Sequence, residues 1–298
     1  YENLYGYYFK DENTGIAVGA ATRGTFVART FDGGQNWIPI PAPFGTTMRA
    51  VSGIGDKLWA AGGAGLLATS NDFGATWELL TPIPSSTLHG FTFTSSMTGY
   101  AAGFDGVFIK TTDGGGTFKG SYITAGGRCY NVQDIHFLND NIGFAAHSYR
   151  MVTKTTNGGE SWFQILPDTI PATFTNSGIH FIDELHGVVV GRIATNTDVI
   201  YRTTDGGQNW STQLNTVFKN MQDVAFANET IGAIVADGLK GVYTTNGGET
   251  WIPSQINNVT GEPNLRKLVF INPNDAIAVG DKVILRSRDG GANWDYIQ

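Results

Sequence analysis

The apolar residues of this chain fall in short runs of about four to six positions, rich in Thr, Val, Ile, Tyr, Phe and Trp and separated by glycine-containing turns. No stretch keeps the 3.6-residue period of a long amphipathic helix, so the pattern predicts an all-β chain. One unit is plain at Asp223 to Phe226, then a turn, Gly232 to Ala236, another turn, and Val242 to Thr245. The leading strands alternate, with Tyr7 and Phe9, Phe91 and Phe93, Ile135 and Phe137, Ile179 and Phe181, Val224 and Phe226, and Leu268 and Phe270 spaced by two and so on one face. The strands after them, such as Ile16-Ala17-Val18, Tyr100-Ala101-Ala102 and Val188-Val189-Val190, have the small or β-branched character of buried strands.

Each unit ends in the same eight residues, [S/T]-x-[D/N]-x-G-x-x-[W/F], beginning at Thr30, Ser70, Thr111, Thr155, Thr203, Thr244 and Ser287. The third position holds Asp32, Asp72, Asp113, Asn157, Asp205, Asn246 and Asp289; the last holds Trp37, Trp77, Phe118, Trp162, Trp210, Trp251 and Trp294. These aromatics are separated by 40, 41, 44, 48, 41 and 43 residues, a propeller-blade period. Three strands precede each box and the aromatic opens a fourth, as in Trp37-Ile38-Pro39-Ile40. The expected fold is therefore a seven-bladed β-propeller, four antiparallel strands per blade, with one box between the third and fourth strands. As a single domain over 1–298 its blades fall at about 1–41, 42–81, 82–122, 123–166, 167–214, 215–255 and 256–298. Within a box, glycine permits positive φ, the Asp or Asn accepts bonds from the turn, the hydroxyl adds another, and the aromatic ring is buried beneath. All these box residues are expected to be structural.

At 41% hydrophobic and 15% charged, the 298 residues can bury a sizeable core. A net charge of −7 argues against sequence-independent nucleic-acid or anionic-membrane binding. The lone Cys129 excludes an internal disulfide and any zinc site needing two thiolates, and is expected to be a structural thiol. No apolar run of about 18 residues is present, so no direct membrane insertion is expected. The first residue is Tyr1 rather than Met, which points to a removed leader or a trimmed chain. The first strand at Leu4 to Phe9 and the last at Trp294 to Ile297 imply that the outer blades share no strand.

The box resembles the BNR or Asp-box repeat of sialidases, sortilin-type receptors, xyloglucan-degrading glycosidases and the photosystem II assembly-factor family, and the resemblance covers essentially the whole chain. Seven regular boxes in a lone propeller are most similar to the assembly-factor family and its non-photosynthetic bacterial relatives, many of them exported. High Thr, Asn and Gly content is also similar to that of secreted Bacteroidetes proteins. The resemblance implies a non-catalytic scaffold that is secreted, periplasmic or at the bacterial cell surface, with a protein partner. The alternative is a glycan-binding or glycan-hydrolysing propeller, sialidase-like or xyloglucanase-like, which requires two converging carboxylates. The sialidase arginine-isoleucine-proline motif is absent and that family's ring resembles six blades; a xyloglucanase cleft resembles two propellers face to face.

No metalloprotease, P-loop, nucleophile-elbow or calcium-loop motif occurs, so neither cofactor nor metal is expected. His136 and His180 occupy one position on successive first strands, near Asp134, and hydrogen bonding accounts for them better than a metal does. The binding face is expected opposite the boxes, where the irregular segments Lys119 to Asn131, Leu166 to Ser177, Arg192 to Asp198 and Pro253 to Leu265 fall. Its candidate anchors are Arg23, Phe104, Tyr122, Arg128, Tyr130, Tyr149, Arg150 and Arg192, because arginine and tyrosine combine buried area with directional bonding. A second candidate patch is the basic residue before five boxes: Arg29, Lys110, Lys154, Arg202 and Arg286.

Overall fold

Seven times the chain lays down four consecutive antiparallel strands, and within each set of four the strand order is the chain order. The computed structural model describes residues 3–22, 24–42, 44–80, 86–125, 127–167, 170–171, 173–193, 197–215 and 220–297. The chain is a seven-bladed β-propeller. It divides into two compact units, Tyr1–Ala145 with Lys154–Phe163, and Ala146–Thr153 with Gln164–Gln298.

In the first unit the leading strands of blades 1 to 4 are Asn3–Phe9, Met48–Ile54, Leu88–Phe93 and Val132–Phe137, each beside the next. In the second unit the leading strands of blades 5 to 7 are Thr175–Phe181, Met221–Phe226 and Leu265–Phe270, again side by side. The core therefore lies between successive blades. Ile16, Val18 and Val27 of blade 1 meet Met48, Val51 and Leu58 of blade 2, and Val188, Val190 and Ile200 of blade 5 meet Met221, Val224 and Ile234 of blade 6. A strand buried on both faces has to be small or β-branched, which is why the second strands read as they do.

One small-residue rule recurs inside the blades. The first residue of the second strand is glycine at Gly15, Gly99, Gly143, Gly187 and Gly232, and a Cβ there would come within 2.4–2.7 Å of the ring of Phe9, Phe93, Phe137, Phe181 or Phe226. Four of those rings meet their own box tryptophan edge-on: Phe9 with Trp37, Phe137 with Trp162, Phe181 with Trp210 and Phe226 with Trp251. The glycine thus makes room for the ring, and the ring seats the box.

Two features depart from the sequence expectation. Blade 7 has a fifth strand: Gln255–Asn257, in the segment read as a loop, pairs parallel with the outer strand Asn293–Tyr296. The leading strands also carry a bulge at one repeated position, with Tyr5, Arg49, His89, Ser177, Gln222 and Arg266 as the extra residues. A bulge re-aims its side chain. Here Arg49 lies over the Tyr5 ring at 5.3 Å, and Arg266 grips Asp281 through two bonds of 2.7 and 3.0 Å.

Candidate functional site

The boxes come first because they fix one end of every blade. In each, the Ser or Thr hydroxyl donates to the third-position Oδ1 and accepts the N–H of the fifth-position glycine, as Thr111 does with Asp113 at 2.8 Å and Gly115 at 2.9 Å. Oδ1 also accepts the N–H of the seventh residue, Thr117 in this box, at 2.9 Å. The fourth-position N–H crosses to the carbonyl of the first hairpin turn of the same blade: Gly33 to Asn13, Gly114 to Met97, Gly206 to Leu185, Gly290 to Asn274. In blade 2 that position is Phe73 at φ 53°, and its buried ring against Tyr8 offsets a left-handed backbone that costs about 1–3 kcal/mol.

The seventh position escaped the eight-residue pattern, although it is always Asn, Thr or Ser: Asn36, Thr76, Thr117, Ser161, Asn209, Thr250 and Asn293. Its side chain completes the carboxylate's bonding, Thr117 Oγ1 donating to Asp113 Oδ2 at 2.6 Å and Asn209 Nδ2 to Asp205 Oδ2 at 2.8 Å. The Thr117 hydroxyl and N–H, with Thr111, hold the Asp113 carboxyl down to about 2. Burial pushes Asp72 upward, but Thr76 and Ser70 prevail and hold it at about 2. The box aromatics are not equally covered: Trp37 and Trp294 are buried, whereas Trp77, Phe118, Trp162, Trp210 and Trp251 are half-buried.

The basic residues before the boxes do not form an open patch. Arg29 points its guanidinium at the Phe73 carbonyl of the next blade, Lys110 donates to Gly158 at 2.9 Å, and Arg202 to Gly247 at 2.8 Å. Lys154 covers the Phe144 ring and Arg286 is buried in a two-bond pair with Asp275. In blade 2, Lys57 reaches the box turn of blade 3 at Gly114, 2.8 Å away. These cations latch a blade to its neighbour's turn or to their own sheet.

Opposite the boxes, the first unit brings four candidate anchors to one stitched region. Phe104 begins the short 3-10 turn Phe104–Gly106, its ring tilted against that of His89 with centroids 4.5 Å apart. The Gly106 carbonyl accepts the Ile123 N–H at 2.8 Å and Asn131 Oδ1 accepts the Asp105 N–H at 3.0 Å, tying that turn to the segment holding Tyr122, Arg128 and Tyr130. The segment is not the loop expected from sequence. Lys119–Tyr122 is the outer strand of blade 3, and Thr124–Ala125 with Arg128–Cys129 form a small hairpin. Tyr122 is 56% exposed, Arg128 is exposed, and so is Cys129, which is therefore no buried structural thiol.

In the second unit, Tyr149 and Arg150 sit together in a turn with φ of 60° and 47°. Tyr149 is 65% exposed, whereas Arg150 donates to the Ile170 carbonyl at 2.9 Å through its guanidinium and to Phe174 through its N–H. Arg192 belongs to the strand Gly187–Ile193 rather than to a loop, and its Nε is 3.4 Å from the fully buried Asp198. Burial pushes the Asp198 carboxyl up while Arg192 draws it down. Arg23 lies outside the described residues. The structure thus separates exposed candidates, Tyr122, Arg128 and Tyr149, from arginines committed to the fold, Arg150 and Arg192. Among the described residues, no three His, Cys, Asp or Glu side chains converge as a metal site, His136, His180 and Asp134 included.

A family model described as photosynthesis system II assembly factor YCF48 matches residues 82–218. The photosystem II assembly lipoprotein Ycf48 of Synechococcus sp. (strain CC9902) is 31% identical over 142 residues, covering 46% of this chain and 40% of that relative. The match thus spans well under half of the relative's length. Two solved structures share the fold: YCF48 bound to D1 peptide, 17% identical with a TM-score of 0.74 over 96% of this chain and 93% of that one, and an ancestral GH74 enzyme, 14% identical with a TM-score of 0.76 over 99% and 46%. The fold and boxes define a seven-bladed propeller of the BNR/Asp-box type. Over residues 82–218 it is photosystem II assembly-factor-like.

Proposed function

We propose that this chain is a non-catalytic scaffold that binds a protein partner during assembly, through the ends of its blades opposite the boxes. The carrying observation is one of placement: residues 82–218, the stretch that matches the assembly-factor model, contain all seven described candidates, Phe104, Tyr122, Arg128, Tyr130, Tyr149, Arg150 and Arg192. The similar fold of a YCF48 bound to D1 peptide supports a peptide or protein partner, and the name of the Synechococcus relative supports assembly work. That relative is a lipoprotein, which favours a secreted, periplasmic or cell-surface location for this chain. Among the described residues, no helix is long and apolar enough to cross a membrane. Exposed Tyr122, Tyr149 and Arg128 are the anchors that can be changed without disturbing the fold, because an exposed substitution typically shifts stability by about 0.5 kcal/mol or less.

The test is affinity capture from the native organism's cell-envelope extract, with captured material identified by mass spectrometry, comparing wild type with Arg128→Glu combined with Tyr149→Ala. A specific protein captured by wild type and lost by the double variant, at unchanged thermal midpoint, is the expected result. Equal capture by both forms overturns the proposed face. Recovery of glycan with cleavage products and no protein overturns the scaffold reading in favour of a hydrolase.

A further inference from the structure

The outer strand of a blade ends its sheet, and alternate residues along it turn their N–H and C=O outward with no ladder partner. Blade 7 shows what this chain does with such an edge. Its outer strand Asn293–Tyr296 is covered by Gln255–Asn257, which runs parallel to it in the register Gln255 to Asn293, Ile256 to Trp294 and Asn257 to Asp295. The Gln255 N–H donates to the Ala292 carbonyl at 2.8 Å, and the half-buried Ile256 packs on the cluster containing Trp294. A three-residue segment, polar then apolar then polar, is sufficient to cap the edge.

Most other outer edges are blunted. Ile38–Ile40 contains Pro39, Ile252–Pro253 ends in proline, and Glu78–Leu79 and Phe163–Gln164 are two residues long. In Ser211–Asn215, Gln213 reaches across to the carbonyls of Gly248 and Glu249. Blade 3 differs. Lys119–Tyr122 is four residues long, free of proline and exposed at every position. Because the Ile123 N–H points inward to the Gly106 carbonyl, alternation turns the backbone of Gly120 and Tyr122 outward. All four residues are exposed, which leaves the edge accessible, and no atom of the described residues lies within 4 Å of where a Cβ on Gly120 would stand, so the sheet face beside the edge is uncrowded too.

We propose that the outer edge of blade 3 is a strand-accepting site for an extended peptide of a partner protein, polar–apolar–polar in pattern and running parallel to Lys119–Tyr122. Main-chain bonds to Gly120 and Tyr122 give the attachment, and the exposed Tyr122 ring supplies the apolar contact. The site shares Tyr122 with the binding face proposed above but does not rest on that face, since neither Arg128 nor Tyr149 is required for it.

The probe is the acetylated peptide Ser-Gln-Ile-Asn-Asn, the sequence of residues 254–258, titrated into isotope-labelled full chain while backbone amide shifts are followed. Saturating shifts at Gly120 and Tyr122 are expected. Gly120→Pro removes an outward N–H that no strand of the blade uses, so it should weaken the peptide about tenfold without lowering the unfolding midpoint. The peptide Ser-Gln-Pro-Asn-Asn should fail against wild type, which keeps the test decisive if the variant folds poorly. No saturable shift at millimolar peptide, shifts confined to Trp294–Tyr296, or equal affinity in Gly120→Pro would each overturn the proposal. So would concentration-dependent self-association abolished by Gly120→Pro, because a second copy would then be the occupant.

Discussion

At the box end of blade 4, the Thr155 hydroxyl donates to Asn157 and accepts from both the Asn157 and Gly159 N–H groups, all within five residues of sequence. At the other end of that blade, Arg150 finds its partners at Ile170 and Phe174, some 20 residues away, and Tyr149 beside it stays exposed. Apart from the one N–H that crosses to the first hairpin turn, the box satisfies itself locally and can therefore be repeated seven times with little change. The opposite end is satisfied by whichever segment follows, so its composition differs from blade to blade. Such a division lets recognition change at one end while the other keeps the blade folded.

The comparison can be broken at its strongest point by removing a box aromatic. Trp294 is 1% exposed, packs in the cluster of blades 6 and 7, and lies under the added strand through Ile256. Trp294→Ala should cost about 3–5 kcal/mol, read as a drop in denaturant midpoint at constant slope. Tyr149→Ala at the opposite end should stay within about 0.5 kcal/mol of wild type. Equal losses would remove the contrast. A smaller effect is expected from Thr155→Val, which keeps the shape but strands the buried Gly159 N–H and leaves the Asn157 amide oxygen with the Ser161 N–H alone; about 1–3 kcal/mol should be lost. A neutral result would mean that the hydroxyl's bonds are replaceable by solvent.

The repeat made the blades and their count legible, because the box aromatics carry their own period and the alternation of the leading strands needs no partner to be read. The seventh box position is equally legible, as an unbroken series of Asn, Thr and Ser, although no single residue type dominates it. What could not be read was anything set by the neighbouring blade. Arg29, Lys110 and Arg202 look like surface charges until the next blade's box turn is placed beside them. Arg192 reads as a loop anchor because it stands just before the polar run Thr195-Asn196-Thr197, and its buried partner Asp198 is visible only once the strands pair. Gln255–Asn257 is three residues of ordinary polarity whose role as a strand depends wholly on an edge 38 residues further on. Bulges such as those at Tyr5 and Arg266 leave no mark in a single sequence, since they are a mismatch between two strands rather than a property of one.

The subtlest contrast is between boxes with Asp and boxes with Asn, and acid should expose it. Asp113 is held down to about 2 by the Thr117 side chain and N–H and by Thr111, whereas an unfolded aspartate titrates near about 3.9. A carboxyl lowered by folding contributes stability that is complete above its unfolded value and lost as pH falls toward its folded one. The acid limb of the stability curve should therefore steepen between about pH 4 and pH 2. Asn246 shows that the amide can build the same turn: its Oδ1 accepts the Thr244 hydroxyl and the Thr250 N–H, and its Nδ2 donates to the Thr250 hydroxyl at 3.0 Å. Box 3 has the same Thr pair, Thr111 and Thr117, so Asp113→Asn should leave the neutral-pH midpoint nearly unchanged and make the fall below pH 4 shallower. Denaturant titrations of both proteins at a series of pH values measure it. An acid limb of identical slope in the variant would show that Asp113 titrates alike in the folded and unfolded chain, and that its box is held by geometry with no contribution from charge.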